Sequence, residues 1–346
     1  MTAIGVTQLL LKATPQCPSD NQYNGHDRLR VLSVILILIA SAAGVYFPLF
    51  ASSYSVIRLP ERCFFFAKYF GSGVIIATGF VHLLEPATKS LGNPCLGDFF
   101  TEFPWAFAIL QVAIFLLFLF DIISHFYHDP DQIVSDTQNN VHDTSESSNL
   151  CHYNPGSERY FSDYAGNYGS NSVSTLVFVE NRCKEKILSL FVLEFGLIFH
   201  SIFIGLSLAV AGDELKTLLA VLIFHQLFEG MGLGARIVEI KWPSEKSATP
   251  WLLALAFSIT TPLSIVAGLF LRESFSPGSK RALITSGVLD AFSAGILIYT
   301  GLVELIANEF LHNDSFLGEN KLKSMLSGSF IMILGSALMT ILGKWA

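Results

Sequence analysis

The stretch LIFHQLFEGMGLG, Leu222 to Gly234, holds His225 and Glu229 four residues apart inside an otherwise apolar run. On a helix that spacing stacks the two side chains on one face, one turn apart. A second apolar run, LEFGLIFHSIFIGLSLAV, carries Glu194, His200 and Ser201. Only a few residues around Gly212 and Asp213 separate the two runs, so their helices must be antiparallel neighbours with His200 and His225 at matched depth. Two imidazoles and a carboxylate converging there form the donor set of a borderline-soft divalent cation. Zinc takes imidazole nitrogen and carboxylate oxygen at about 2.0 to 2.2 Å, and iron and manganese accept the same donors. A solitary intramembrane histidine is more often an interhelical hydrogen-bond partner; a matched pair with a carboxylate one turn away favours the metal reading. Gly205, Gly230, Gly232 and Gly234, with Ser207, keep the two helices thin where they must pack closely or leave room for an ion.

The elements that position these residues are set by composition. Half of the 346 residues are hydrophobic, only 14% are charged and 30 are phenylalanine, which is too apolar for a soluble chain of this length. The reading is an all-α integral membrane protein. About 20 apolar residues cross a bilayer as a helix, and eight windows qualify: 31–51, 63–84, 104–125, 187–211, 214–238, 250–271, 283–306 and 325–342. They divide the chain into an N-terminal tail (1–30), helices one to three (31–125), a polar loop (126–186) and helices four to eight (187–346). The loop is rich in Asp, Ser, Asn and Tyr and poor in aliphatics, so it is expected to be mostly disordered. The first residues lack a basic n-region, and the expectation is that the first span, rather than a cleaved signal, targets the chain. Lys and Arg are divided too evenly between the two faces to fix orientation. The net charge of -7 leaves no broad basic patch, so nucleic acid is not an expected partner.

FHSIFIGLSLAV and FHQLFEGMGLGARI resemble the paired fourth and fifth helices of the ZIP (Zrt/Irt-like) family of divalent metal transporters, particularly its fungal and plant branch. FAKYFGSGVIIATGFVHLLEPA is similar to that family's second helix, SITTPLSIVAGL to its sixth and SAGILIYTGLVELIANEF to its seventh. The resemblance covers nearly the whole chain. It implies eight transmembrane helices in a ZIP-type bundle, with the first and last three related by inverted pseudo-symmetry around the fourth and fifth. It also implies extracytosolic termini, a cytosolic 126–186 loop and a metal site between helices four and five. Carried over by motif, His200, His225 and Glu229 are the metal ligands, with Ser201 and Gln226 as supporting oxygen donors. The implied activity is zinc uptake into the cytosol, with Fe2+, Mn2+ or Cd2+ as alternative cargo, no cofactor, multi-pass residence in the plasma membrane among bilayer lipid, and room for a homodimer.

Relatives that hold two adjacent metals carry a glutamate where this chain has Ile204, an acid where it has Gln226, and a carboxylate in the sixth helix, where ALAFSITTPLSIV has none. Carboxylates must neutralise two dications at low dielectric, so a single ion is expected. In the implied orientation His82, Glu85 and Asp290 form an outer vestibule. Glu194 and Glu304 lie on the cytosolic side of the site, and Asp121, His125 and His128 offer donors for release, or else snorkel at a helix end. The loop carries only His128, His142 and His152, with Cys151, and reads as a solvated linker rather than a compact metal cluster. Asn313 begins a glycosylation sequon on the cytosolic face, where it would stay unmodified. Of the five cysteines, Cys63, Cys151 and Cys183 fall in or facing the cytosol in this orientation, and Cys17 and Cys95 fall on the oxidising face, where they are expected to be bonded. The rival of another class is an intramembrane metalloenzyme. Donors continuing on both sides of the centre favour translocation, so no enzymatic activity is expected.

Overall fold

The computed structural model describes residues 16–18, 23–53, 61–127, 172–240, 242, 246–272, 276–307, 310 and 321–344. Among these the secondary structure is helical, with no strand, as a lipid-spanning chain requires: only a helix satisfies every backbone donor and acceptor within its own segment. Among the described residues, eight helices are long and apolar enough to cross a membrane. They are α1 (Asp27–Ser53), α2 (Glu61–Ala77), α3 (Trp105–Tyr127), α4 (Ser172–Val210), α5 (Leu215–Glu239), α6 (Thr249–Leu271), α7 (Lys280–Thr300) and α8 (Lys321–Leu342). α2 continues through a π-helical turn, Thr78–Leu84, into Glu85–Leu91, and α7 ends in a second π-helical turn, Gly301–Ala307. α4 begins at Ser172, well inside the stretch expected to be an unstructured loop. Extending an existing helix costs far less than nucleating one, so a polar overhang can continue an apolar span.

The packing follows an inverted two-fold pattern. α1 packs on α5 as α6 packs on α4; α2 packs on α8 as α7 packs on α3; α2 meets α5 as α7 meets α4. The sequence carries the same relation. FHSIFIG at Phe199–Gly205 recurs as FHQLFEG at Phe224–Gly230, and TGFVHL at Thr78–Leu83 recurs as TGLVEL at Thr300–Leu305. The contacts agree: Gly73 lies against Met332 of α8, and Gly295 against Leu110 of α3. The symmetry therefore exchanges His200 with His225, and both π-helical turns sit at corresponding places. π-turns interrupt the regular ladder and often mark functional positions.

Two fastenings hold the frame. At the end of the bundle where α1 begins, Arg30 is fully buried. Its guanidinium donates to the carbonyls of Leu208 (3.1 Å), Ala209 (2.8 Å) and Ala211 (2.5 Å). These are the orphan acceptors at the C-terminus of α4, where a cation also meets the negative end of the helix dipole. Asn24 donates to Asp213 at 2.9 Å in the α4–α5 turn. Ahead of them Cys17 is disulfide-bonded to Cys95, with Cα atoms 4.9 Å apart, and Ser276 donates to the Pro18 carbonyl at 3.2 Å. The tail thus ties the α2–α3, α4–α5 and α6–α7 connections together. Near the opposite end, Lys68 of α2 pairs with Glu239 of α5 at 2.8 Å, and Arg236 reaches Glu239 at 3.2 Å and Ser72 at 2.6 Å.

Between these fastenings α2 and α5 cross backbone on backbone. A methyl group added at Gly71 would lie 2.1 Å from the Gly232 Cα, so no side chain fits. Gly71→Ala is expected to lower the melting temperature of the detergent-solubilised protein by several degrees, reflecting an overpacking cost of about 1–3 kcal/mol. Gly328→Ala, whose methyl would meet only ordinary contacts at 3.4 Å, should leave it unchanged. The disulfide is checked by mass spectrometry after alkylation without reduction: Cys63, which is free and exposed, should be labelled and Cys17 and Cys95 should not.

Candidate metal site

The short α4–α5 turn, capped by Arg30, sets the depth of both central histidines. His200 on α4 and His225 on α5 face each other with ring centroids 5.4 Å apart. Glu229, one turn along α5, brings Oε2 to 3.4 Å from His225 Nε2. One ligand atom each from His200, His225 and Glu229 lie within 4.8 Å of one another, and all three residues are buried, the most exposed at 2%. His200 Nε2, both ring nitrogens of His225 and both oxygens of Glu229 have no hydrogen-bond partner. A buried polar atom left unpaired is costly, and an unpaired carboxylate more so. Five such atoms in one cluster could take up a ligand, and their chemistry, imidazole nitrogen plus carboxylate oxygen, fits a divalent cation.

The supporting residues differ from one another. Ser201 is fully buried with an unpartnered hydroxyl, as is Thr261 of α6, whose backbone packs against Gly205. Gln226 is also fully buried, but its carbonyl oxygen accepts a hydrogen bond from Ser41 of α1 at 3.1 Å, and the atom left without a partner is Nε2. Ile204 is the counterpart of Glu229 under the internal repeat, so the carboxylate stands on one side of the pseudo-axis only.

Of the remaining sequence candidates, His82 comes closest. Its ring meets His225 edge-on at a centroid distance of 4.8 Å, and its Nε2 lies 3.1 Å from the Met339 carbonyl of α8. A carbonyl only accepts, so Nε2 carries the proton and the neutral ring keeps its lone pair on Nδ1. Glu85, one turn further, instead points outward and pairs with Lys89 at 2.6 Å. Asp290 is buried on α7, toward the end where α1 begins. Glu194 is buried on α4, toward the other end, with both oxygens unpartnered. Asp121 accepts from the Tyr299 hydroxyl at 2.5 Å. The side chains of His125 and Glu304, and His128 altogether, lie outside the described residues, as do His142, Cys151, His152 and Asn313 and the Cys183 side chain. Sequence reasoning missed Ser41, Arg30 and the Lys68–Glu239 pair. No spacing along one helix signals them, since Arg30 and Leu208, Ser41 and Gln226, and Lys68 and Glu239 are 178, 185 and 171 residues apart in the chain.

Residues 27–343 match the family model described as ZIP Zinc transporter. The chain belongs to the ZIP family. It is 43% identical to Zinc-regulated transporter 2 of Saccharomyces cerevisiae, over 95% of this chain and 97% of that one. It is 34% identical to Zinc-regulated transporter 1 of Schizosaccharomyces pombe, over 96% and 90% of the two chains, and 36% identical to Zinc transporter 3 of Arabidopsis thaliana, over 93% and 86%. The fold is accordingly that of an all-α, multi-pass ZIP membrane protein. His200, His225 and Glu229 fall on its two central helices, and the relatives' names describe transporters rather than enzymes.

Proposed function

We propose that this ZIP protein carries zinc across the membrane into the cytosol through one intramembrane site formed by His200, His225 and Glu229. The observation that carries the reading is the buried cluster itself: three donors within 4.8 Å whose ligand atoms have no other partner. Relatives named as zinc transporters along nearly the full chain support the choice of cargo. One carboxylate can offset half the charge of a dication, and Ile204 together with the acid-free α6 supplies no second, so the site holds a single ion. Ser201, buried with an unpartnered hydroxyl, supports it in this reading as an oxygen donor. A donor set at the junction of two inverted halves suits alternating exposure to the two sides.

The Cys17–Cys95 bond supports the orientation, since a disulfide persists on the oxidising face. The tail end is then outside, the 126–186 segment is cytosolic and the protein works at the plasma membrane. Asp290 and Glu85 draw cations toward the mouth, and His82, whose ring packs edge-on against His225, hands the ion to the centre. Glu194 and Glu304 receive it on the cytosolic side, and Asp121, His125 and His128 line the exit.

The test is radiolabelled zinc uptake in cells lacking their own zinc import, with Fe2+, Mn2+ and Cd2+ as competitors. His200→Ala, His225→Ala and Glu229→Ala should each lower uptake by ~10-fold or more at unchanged surface level, because each removes a donor from a desolvated dication. Uptake retained by His225→Ala refutes the site, and iron outcompeting zinc refutes the cargo. Ile204→Glu restores the missing carboxylate and should lower the zinc KM together with the maximal rate. Unchanged kinetics would mean that Ile204 does not border the ion.

A further inference from the structure

Ser41 lies on α1, fully buried, and its hydroxyl is 3.1 Å from Gln226 Oε1. Gln226 directly follows His225 and precedes Glu229 by three residues on α5. The bond engages the amide oxygen against α1 and leaves Nε2 as the unpartnered buried atom. Neither partner can drift away. A methyl group added at Gly230, one turn beyond Gln226, would lie 3.1 Å from the Ser41 carbonyl oxygen, so the helices touch there with no slack. In so dry a setting the carbonyl does not give up its donor without cost.

We infer that Ser41 is a specificity-determining positioning residue: by holding the Gln226 carbonyl against α1 it withholds a hard oxygen donor from the ion at His200, His225 and Glu229. This rests on the site reading above. An amide carbonyl is a hard, neutral oxygen ligand, the kind that manganese and other oxygen-seeking dications use, whereas two imidazoles suit zinc. An N–H group turned the other way can ligate no cation at all. The sequence by itself suggests that Gln226 adds an oxygen to the site; the Ser41 bond turns the same residue into one that keeps the site poor in oxygen.

Ser41→Ala removes the hydroxyl with little change in volume. The freed carbonyl, now buried without a donor, gains by turning to the cation. Competition of Mn2+ against zinc uptake should rise about threefold to tenfold, the worth of one neutral polar contact. Ser41→Thr keeps a hydroxyl and should behave as wild type. Gln226→Met keeps the bulk but has no amide, and in that background Ser41→Ala should add nothing. The purified full-length protein in detergent gives a second readout free of transport rate: Mn2+ displacement of bound zinc should shift by the same factor.

Three results overturn the inference. Selectivity unchanged in Ser41→Ala is one, and the same gain in the Gln226→Met background is another, since it would trace the effect to α1 packing. A fall in Mn2+ competition is the third, since it would mean the amide is held the other way round. Failure of the underlying site reading looks different: His225→Ala would then retain uptake whatever Ser41→Ala does.

Discussion

Removal of polar groups from water without partners is the constraint on which this molecule turns. Two imidazoles and a carboxylate sit at the junction of α4 and α5 with five ligand atoms unpaired. Moving even one charged side chain to the centre of a bilayer costs about 2.5–3.5 kcal/mol on insertion scales. The helices can hold such a cluster only because everything around it is fixed: the Arg30 cap on α4, the Gly71–Gly232 crossing and the Lys68–Glu239–Arg236 clamp between α2 and α5. The cap and the clamp lie toward the two ends of the bundle and bind their charged groups with their own hydrogen bonds and ion pairs, and the glycine crossing holds α2 against α5 close to Glu229.

The inverted repeat explains why the cluster has this shape. A two-fold relation that brings two copies of an FHxxFxG helix together necessarily sets histidine against histidine at the axis. What departs from symmetry is then the informative part. Glu229 faces the position of Ile204, Gln226 that of Ser201, and His82 in one π-turn corresponds to Glu304 in the other. An exact two-fold would treat both membrane faces alike. The departures leave one carboxylate, Glu229, beside the paired histidines and set the His82 ring against His225 on one side of the centre.

The tail adds a constraint from outside the spans. Cys17, Pro18, Asn24 and Arg30 reach three different connections at one end of the bundle. Those connections join helices from both packing groups, α1, α4, α5 and α6 on one hand and α2, α3, α7 and α8 on the other. Any rearrangement of one group against the other must take place under this strap at one end and against the Lys68–Glu239 pair at the other.

Much of this was legible from residues alone. Apolar runs longer than a bilayer is thick can only be helices, so the number of spans followed from composition. The short turn at Gly212 and Asp213 forced His200 and His225 to similar depth, and the i, i+4 spacing put Glu229 with them. Spacing along one helix, however, carries no information about a neighbour's rotation or about which of two polar atoms an amide presents. His82 and Glu85 are a turn apart in sequence, yet one is packed on His225 and the other is exposed beside Lys89. Gln226 is an oxygen donor by composition, and its oxygen is engaged by Ser41, which is far away in the chain. Arg30, which stands just before the first apolar window, is a buried cap on carbonyls 178 or more residues further along the chain. Local sequence determined which groups lie at which depth, because backbone hydrogen bonding and the length of the span leave no alternative. Which of those groups meet was decided by helix-on-helix packing alone, where a single glycine or serine sets the distance.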